Sequence, residues 1–338
     1  MSLANMWCAV KRKLTLADAR AVAVAYLGHH GMPADHAGMV ADHLIYATLA
    51  GHDFAGLSRL QPIAGMLKER GPGGTIAVLR ETPLSAQLDG ANVNGYVTSV
   101  LAMDKAIALA KRSGIGVVGV SNSWFSGMLR YYVERAADAG LIGMHAGNST
   151  ARVAPFGGID RLLGTNPIAF AFPSDPAPLV IDFSSASVMW GDVLYHQQIG
   201  QPLPPDRAVD PAGQPTTDPA AALRGAILAW GGARGSALSM IVQALGILGG
   251  SDPVVGEGGG RWGYFFLALD PALLMPREAF KQNIRRLQEA VEGCRPVPGT
   301  ASVRVPGSAA TRKVREGRAR GWLEVDEAIY RAITQHTA

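Results

Sequence analysis

The sequence predicts a soluble protein of the α/β class, and three observations support this prediction. The chain has 338 residues, more than one hydrophobic core usually holds, so two or more packed sub-domains are expected. Hydrophobic residues make up 48% of the chain and charged residues 17%, which is typical of a globular protein with a sizeable core. Segments with helical spacing also alternate with short apolar runs of the kind found in buried strands.

The first seventy residues are predicted to form a helical unit. A capping box at 15–18 begins a helix that ends at Gly28. Pro33 introduces a second helix, which runs to about residue 50, and residues 56–70 have the pattern of a third.

Helices and strands alternate through the rest of the chain. Apolar residues at helical spacing predict a helix over 98–112, and the run Gly116–Val120 that follows it predicts a short buried strand. The further predicted elements are, in order, a helix at about 127–139, a strand-like region from 141 to about 195, a loop at 197–219, helices near 219–229 and 234–248, a strand at 264–269, a long helix from 276 and a short helix near 326–334.

The positive charge of the chain is local. The net charge is +4, and five basic residues fall within 312–320. No nucleic-acid recognition motif accompanies this basic run, and aromatic residues make up only 7% of the chain. We therefore interpret the run as a solvated helix face and expect no nucleic-acid partner.

No segment has the pattern of a membrane span or of a signal peptide. Residues 225–250 are rich in small apolar types, but Arg234 and several glycines interrupt them. The basic cluster at 11–13 follows a short apolar stretch, which reverses the order found in a signal peptide. Cys8 and Cys294 form no motif and are predicted to be reduced thiols. We therefore expect a cytoplasmic protein without a membrane partner.

Two stretches match the glycine spacing of a dinucleotide-binding Rossmann turn, and neither fits its context. Gly114, Gly116 and Gly119 follow a predicted helix and precede a strand, whereas the Rossmann turn follows a strand and begins a helix. The second stretch, Gly258–Gly263, also runs into a strand. Only the strand–turn–helix order directs backbone N–H groups and the helix dipole at a pyrophosphate. An ordinary Rossmann domain is therefore not predicted.

The sequence also lacks the motifs of metal, acyl-transfer and phosphoryl-transfer sites. No two histidines lie four residues apart on a predicted helix, and there is no HExxH or CxxC motif, so no metal site is predicted. Neither a GxSxG nucleophile elbow nor a P-loop lysine occurs.

A series of spaced polar and Gly/Pro-rich islands runs along the chain instead. The two most specific are GTNPIAFAFP (164–173) and the Gly-x-Pro-Thr-Thr-Asp-Pro string (213–219). At these islands the sequence resembles the type-2 malate/lactate dehydrogenase family over residues 14–335, as a divergent member. That family includes malate, ureidoglycolate and sulfolactate dehydrogenases and the cyclic-imine carboxylate reductases. The other islands are GHDFAGLSRL (51–60), VSNSWFSGMLRYY (120–132), NSTARVAPFGG (148–158), IDFSSASVMWG (181–191), GGARG (231–235) and VPGS (305–308).

The resemblance implies a particular architecture. It implies an α/β fold that is not a Rossmann fold, with a mostly antiparallel central sheet for the cofactor and helical N- and C-terminal segments. It also implies a homodimer. The corresponding domains are an N-terminal helical unit at 1–70, a helical and mixed dimer-associated unit at 71–115 plus 275–338, and a cofactor-binding domain at 116–274.

The resemblance further implies a nicotinamide dinucleotide cofactor, NADP or NAD. Arg234 stands where the family usually has lysine, so a cation for a cofactor phosphate is retained. The basic residues at 311–320 favour NADP weakly if they reach a 2′-phosphate, although ordinary solvation explains them equally well. The positions that match the family's dinucleotide contacts are Ser149, Asp182, Phe183, Ser184, Arg234 and the turn Gly307, Ser308 and Ala309.

The chain departs from the family pattern at both catalytic histidines. Ala55 and Phe125 occupy the positions of these two histidines, and Asp192 stands where lysine is common. Arg59 is retained at the position that holds the substrate carboxylate, where a guanidinium can form two parallel hydrogen bonds. His52 is the nearest remaining candidate for a proton donor.

These replacements bear on the choice of substrate, which the resemblance limits to a small 2-oxo or 2-hydroxy acid or a cyclic imine carboxylate. Reduction of a 2-oxo acid leaves an alkoxide that needs a proton, and a positioned imidazole typically contributes ~10²–10⁴-fold to such a step. An iminium substrate already carries its proton, and aromatic residues such as Trp124 and Phe125 favour a cation. Our hypothesis is an NAD(P)H-dependent reductase of an imine that bears a carboxylate.

Two alternatives remain open. One is a catalytically impaired homologue that binds a dinucleotide or a small acid as a sensor or partner subunit, without turnover. The other is a chain in which the dinucleotide site has also decayed and only the dimer scaffold persists.

Overall fold

The computed structural model describes residues 11–257 and 260–335. The chain divides into two compact units, unit one (Met1–Gly73 with Gly307–Ala338) and unit two (Gly74–Pro306). The three domains expected from the sequence remain a prediction, and each unit is described below by itself.

Helices and strands alternate along the chain, which confirms the predicted mixed α/β class. Three short 3₁₀ helices lie at Asp53–Ala55, Leu57–Arg59 and Pro271–Leu273. The other described elements are β1 (Lys11–Thr15), α1 (Leu16–His29), α2 (Ala34–Leu49), α3 (Leu60–Arg70), β2 (Ala77–Glu81), β3 (Ser85–Val93), α4 (Gly95–Ser113), β4 (Ile115–Ser123), α5 (Arg130–Asp138), β5 (Ile142–Gly147), β6 (Val153–Ala154), β7 (Pro167–Phe172), β8 (Leu179–Ser184), α6 (Trp190–Gln198), β9 (Ala208–Val209), β10 (Pro215–Thr216), α7 (Pro219–Arg224), β11 (Ala226–Leu228), α8 (Ala233–Leu248), β12 (Gly263–Leu269), α9 (Arg277–Glu292), α10 (Ser308–Arg320), β13 (Trp322–Asp326) and α11 (Glu327–Thr334).

Unit one is built from helices around one small strand pair. The Thr15 side chain accepts a hydrogen bond of 3.0 Å from the Asp18 N–H and caps α1, as the capping box predicts. β1 pairs antiparallel with β13, and α10 packs on α2 where a side chain at Gly317 would collide with Leu49. Strands β1 and β13 and helix α10 were not predicted from the sequence.

The main sheet of unit two has seven strands in the order β2-β3-β4-β12-β5-β7-β8. In the described part of the chain, β3 and β4 are its one parallel pair, and every other neighbouring pair is antiparallel. Helix α4 packs on β4 and α5 packs on β5. The apolar faces of these two helices therefore cover one face of the sheet.

The glycines of the rejected Rossmann match serve helix–sheet packing. Gly114 ends α4 in the left-handed conformation, as a C-terminal cap. A side chain at Gly116 would lie 2.1 Å from the Ala106 carbonyl oxygen of α4, so only glycine allows this close approach. In the second match, Gly263 begins β12, whereas Gly258 lies outside the described residues.

A second sheet of four short strands, in the order β10-β9-β11-β6, forms its own small core. Leu163, Ala208 and Ile227 are buried in it, and α6 and α7 pack against each other beside it. The loop predicted at 197–219 contains two of these short strands, β9 and β10.

Two predicted elements of this region were wrong. The helix near 219–229 ends at Arg224, because Gly225 leaves the helical conformation and the chain continues as strand β11, which pairs with β6 and β9. A side chain at Gly225 would lie 2.0 Å from the Val209 carbonyl oxygen, so this position needs glycine. Residues 190–198 are helix α6 instead of strand, and Asp192 lies in its first turn, where a carboxylate favours a helix N-terminus.

Two absences concern the described residues alone. Within them, no helix is long and apolar enough to cross a lipid bilayer. Across the same residues, no three histidine, cysteine or carboxylate side chains are grouped to hold a metal ion. Cys294 is an exposed free thiol, and Cys8 lies outside the described range.

Candidate functional site

Thr165 is the point at which two of the predicted dinucleotide-binding residues meet in unit two. Its backbone N–H donates to the Ser149 hydroxyl over 3.2 Å, and the Ser184 hydroxyl donates to its carbonyl oxygen over 2.7 Å. Ser149 follows β5 and Ser184 ends β8, so the fold brings together hydroxyls that lie 35 positions apart in the numbering. We name these three residues, with Ser185, the hydroxyl cluster.

The turn that carries Thr165 is held by α8. Asn166 is buried with a φ of 38°, and its side-chain amide donates to the Ser239 carbonyl oxygen at 3.0 Å and to the Gln243 side chain at 3.0 Å. A side chain at Gly164 would lie 2.5 Å from the Ser149 hydroxyl. The GTNP part of the most specific sequence island thus forms a tight turn that fixes the hydroxyl cluster.

The glycine-rich loop before α8 lies next to this cluster. The Trp230 N–H donates to the Ser185 carbonyl oxygen over 2.8 Å, and Gly231 and Gly232 both have positive φ, at 62° and 65°. Arg234 is exposed in the first turn of α8, and the N-cap residue of this helix is Gly232, which has no side chain to cap it. Free N–H groups, the helix dipole and a guanidinium together form a favourable place for a phosphate.

Exposed aromatic rings surround the same loop. The Phe183 and Trp230 rings meet edge to face with centroids 6.4 Å apart, and the Phe156 ring lies beside Gly232 with 68% of the residue exposed. The Phe156 N–H donates to the Ser236 hydroxyl over 3.0 Å. Large apolar groups exposed together usually mark a binding surface, and flat rings suit the bases of a dinucleotide.

Asp182 has a partner that the sequence analysis did not predict. Its carboxylate accepts a hydrogen bond of 2.8 Å from the backbone N–H of Arg130, the first residue of α5. Burial raises the pKa of Asp182 to about 6, although hydrogen bonds from the Arg130 and Leu129 N–H groups act against this increase. In the structure Asp182 is therefore a cap for the N-terminus of α5.

The loop that carries Phe125 is aromatic and tightly held. The Trp124 indole N–H donates to the Asn92 carbonyl oxygen over 2.9 Å, and the Phe125 ring lies edge to face with the rings of Trp124 and Tyr96. The Tyr264 hydroxyl donates to the Trp124 carbonyl oxygen over 2.5 Å. Phe125 thus places a half-buried hydrocarbon ring in this loop, at a position predicted to correspond to a family histidine.

A different imidazole lies beneath this loop. His145 is fully buried and stacks on Phe266 with ring centroids 4.0 Å apart, between the rings of Tyr132 and Tyr264. Burial lowers the pKa of His145 to about 3, so the ring stays neutral. Its place in the core makes it a packing residue.

The predicted substrate residues lie in unit one, on the turn between α2 and α3. His52 precedes the first 3₁₀ helix, and the half-buried Arg59 ends the second. Gly56 lies between these helices, where a side chain would be 2.1 Å from the Thr48 hydroxyl. Ala55 presents only a methyl group at the position that was predicted to correspond to the other family histidine.

The predicted turn Gly307–Ala309 also belongs to unit one. Gly307 has a φ of 76° and occupies the N-cap position of α10, where glycine offers no side chain to the helix N-terminus. The turn is therefore the beginning of a 13-residue helix that was not predicted from the sequence. The basic side chains Arg312, Lys313 and Arg315 lie on its exposed face, while Val314 is buried.

Comparison with known proteins identifies the family. The family model described as malate/L-lactate dehydrogenase matches residues 14–334. The chain belongs to this family. Membership confirms the family predicted from the sequence islands, the enzyme class of dehydrogenase or reductase, and the cofactor class, NAD or NADP.

Individual relatives agree with this assignment. The chain is 32% identical over 314 residues to the L-sulfolactate dehydrogenase of Methanocaldococcus jannaschii, covering 90% of each chain. It is 34% identical over 236 residues to Delta(1)-pyrroline-2-carboxylate reductase 1 of Burkholderia ambifaria, covering 69% of each. The solved sulfolactate dehydrogenase from M. jannaschii superposes with a TM-score of 0.86 at 31% identity, covering 96% of each chain.

Some candidate residues escaped the sequence analysis. Thr165, Phe156 and Trp230 adjoin the predicted dinucleotide residues in the structure, yet none was selected. Two of them could have been predicted from the sequence, because Thr165 and Phe156 lie within the polar and Gly/Pro-rich islands. The roles of the residues that were selected remain predictions.

Proposed function

We propose that this chain is an NAD(P)H-dependent reductase of a cyclic or secondary imine that bears a carboxylate. The observation that carries the proposal is the aromatic environment of Phe125, which lies in the fixed loop where the family has a histidine. An iminium carbon accepts hydride without a proton donor at the neighbouring nitrogen, whereas a ketone needs one. The absence of an imidazole therefore slows the reduction of an imine less than the reduction of a ketone.

Unit two has the features that a dinucleotide needs. The proposed contacts are the hydroxyl cluster, the uncapped N-terminus of α8 with Arg234, and the exposed rings of Phe183 and Trp230. The mostly antiparallel sheet supplies the framework in place of a Rossmann fold. Bound NADPH or NADH supplies the hydride.

The remaining residues are assigned to the substrate. A partly exposed aromatic ring such as Phe125 stabilises a nearby cation by ~0.5–2 kcal/mol, which suits an iminium ion. In unit one, Arg59 is proposed to bind the carboxylate with two parallel hydrogen bonds. His52 is proposed as the proton donor for any residual reduction of 2-oxo acids.

The proposed form is a cytoplasmic homodimer. Three apolar residues of α8 each have more than half of their surface exposed, namely Met240, Ile241 and Leu248. A second copy that covers this face would remove the apolar surface from water.

Steady-state assays with NADPH and NADH test the proposal. We expect turnover of Δ1-pyrroline-2-carboxylate and Δ1-piperideine-2-carboxylate, with pyruvate and oxaloacetate at least ~10²-fold slower. The variant Phe125→His should raise the oxo-acid rate, because it restores an ionisable ring. Phe125→Leu is the matched control, since it removes the aromatic ring without adding a proton donor. Turnover of the oxo acids alone by the unaltered chain would contradict the proposal.

The second candidate function is dinucleotide or small-acid binding without turnover. The replacement of both family histidines, by Ala55 and Phe125, favours it. Its signature is calorimetric binding of NADPH or NADH together with no turnover of any of the four acids.

A further inference from the structure

Two arginines of unit two converge on one indole ring. Arg161 is anchored at the end of α7, where its Nε and Nη2 donate to the carbonyl oxygens of Gly225 and Leu223, each over 2.5 Å. The Arg152 guanidinium lies 4.1 Å from the centroid of the Trp190 ring, and that of Arg161 lies 5.2 Å from it. We call Arg152 and Arg161 the arginine pair.

The arginine pair carries more positive charge than its surroundings balance. Both guanidiniums bond to the same oxygen of Glu257, and in the described part of the chain no other carboxylate forms an ion pair with either. The arginine side chains are only 23% and 19% exposed, whereas the Glu257 side chain is 54% exposed. Burial lowers the pKa of both arginines, and for Arg152 the neighbouring Arg161 adds to this effect. One positive charge is therefore left uncompensated in a poorly hydrated place.

The two arginines differ in their free donors. Arg161 uses Nε, Nη1 and Nη2 in the bonds described above. Arg152 bonds to Glu257 through Nη1, and its Nε and Nη2 have no hydrogen-bond acceptor among residues 11–257 and 260–335. A guanidinium has five N–H donors in a planar fork. Arg152 is thus oriented by the indole ring, with donors available to a second anion.

We propose that the arginine pair is a site for a phosphomonoester dianion, which binds by displacing Glu257. Two guanidinium charges are balanced by the charge of a phosphomonoester, which is −1.5 to −2 at pH 7. A phosphodiester carries one charge and offers no electrostatic gain over Glu257. Guanidinium groups also match the geometry of phosphate oxygens.

The inference rests on the proposed function, because it names the cofactor that the dinucleotide site prefers. Arg152 lies three residues beyond Ser149, so at most ~11 Å of chain separates them. NADP carries a phosphomonoester at its 2′ position and NAD carries none. The geometry therefore points to the arginine pair, instead of the basic residues at 311–320, as the source of NADP preference. Free inorganic phosphate is the other source of the same chemistry.

Titration calorimetry with NADPH, NADH and inorganic phosphate tests the inference. We expect NADPH to bind at least 10-fold more tightly than NADH. Arg152→Ala should weaken NADPH binding by about 10- to 100-fold and leave NADH binding unchanged, since charge-assisted hydrogen bonds to the 2′-phosphate are lost. Glu257→Gln should act in the opposite direction and strengthen NADPH binding. Arg224→Ala, an exposed arginine of α7, is the control and should change neither.

Each other outcome has a defined meaning. If NADPH and NADH bind equally while phosphate binding depends on Arg152, the dianion site stands and its ligand is free phosphate. If neither dinucleotide binds but phosphate does so through Arg152, the proposed function fails and the site stands. Unchanged binding of all three ligands in Arg152→Ala and Glu257→Gln would overturn the inference. Because the Glu257 side chain is half-exposed, Glu257→Gln should fold even if Arg152→Ala does not. A further variant, Arg152→Lys, retains the positive charge but lacks the planar set of guanidinium donors.

Discussion

Single residues in this protein show which contacts hold the proposed site in place. Thr165 and Asn166 tie two hydroxyls to α8 through backbone and amide hydrogen bonds, and these contacts do not depend on the chemistry of the bound substrate. Phe125, by contrast, is one side chain on a loop whose carbonyl oxygens are held by Tyr132 and Tyr264. Because these bonds are made by backbone oxygens, a substitution at position 125 would change the side chain and leave the hydrogen bonds of the loop intact.

Asp182 provides a prediction at the residue scale. Its pKa is raised to about 6 in the folded state, so the folded chain binds this proton more tightly than the unfolded chain does. The stabilising contribution of the neutral carboxyl is complete below about pH 4 and is lost as the pH rises through about 6. Relative to the unaltered chain, Asp182→Asn should therefore gain up to about 3 kcal/mol of stability between pH 4 and pH 7.

Urea unfolding of both proteins across this pH range measures the effect. The control is Asp160→Asn, which makes the same change at an exposed carboxylate. A pH-independent difference for Asp182→Asn would show that the carboxyl titrates normally in the folded chain.

The start of α8 is the element on which the proposed phosphate contact depends. Gly231 and Gly232 turn the chain through positive φ, and Gly235 packs its backbone directly against the Trp230 carbonyl oxygen. The same helix holds Asn166 through Ser239 and Gln243. Helix α8 thus connects the glycine-rich loop to the hydroxyl cluster, and both depend on its position.

A single methyl group tests this dependence. A side chain at Gly235 would lie 1.7 Å from the Trp230 carbonyl oxygen, so Gly235→Ala must move the first turn of α8. We expect its affinity for NADPH and NADH to fall at least ~10-fold in fluorescence titrations, because the N–H groups no longer point at the phosphate. Gly191→Ala is the matched control, since nothing lies within 4 Å of the added group and alanine favours its helix. Equal affinities in the two variants would exclude α8 as a phosphate contact.

At the scale of the whole molecule, the two units divide the predicted residues. Arg59, His52 and the N-terminus of α10 belong to unit one, whereas the hydroxyl cluster and Arg234 belong to unit two. Unit one is discontinuous in sequence, because it combines the first and the last segments of the chain. The pairing of β1 with β13 joins these segments across more than 300 residues.

The proposed homodimer gives a prediction at this scale. If a second copy covers the apolar face of α8, a charge at its centre should prevent association, because a buried carboxylate without a partner is costly. We expect the unaltered chain to have twice the monomer mass of 35.5 kDa by light scattering, and Ile241→Asp to be monomeric. Leu274→Asp is the control, as Leu274 is more exposed and lies outside α8. A monomeric unaltered chain would refute the homodimer.

The sequence by itself determined the elements whose signals are local. The capping box of α1, the apolar run of β12 and the periodic residues of α4 were all visible within a few positions, and the islands were enough to identify the family. It also supports the prediction that Ala55 and Phe125 occupy the positions of two family histidines, because residues within a recognisable island can be compared without a structure.

Only the tertiary structure decided what depends on distant partners. The charged segment Lys11–Thr15 becomes a strand because β13 pairs with it, and no periodicity within five residues could have shown this. The meeting of Ser149 and Ser184 at Thr165, the capping of α5 by Asp182, and the two arginines that share Glu257 all join residues far apart in the chain. The residue type alone gives the chemistry of a side chain. Tertiary packing decides which side chains lie close together, how deeply they are buried and which charges surround them.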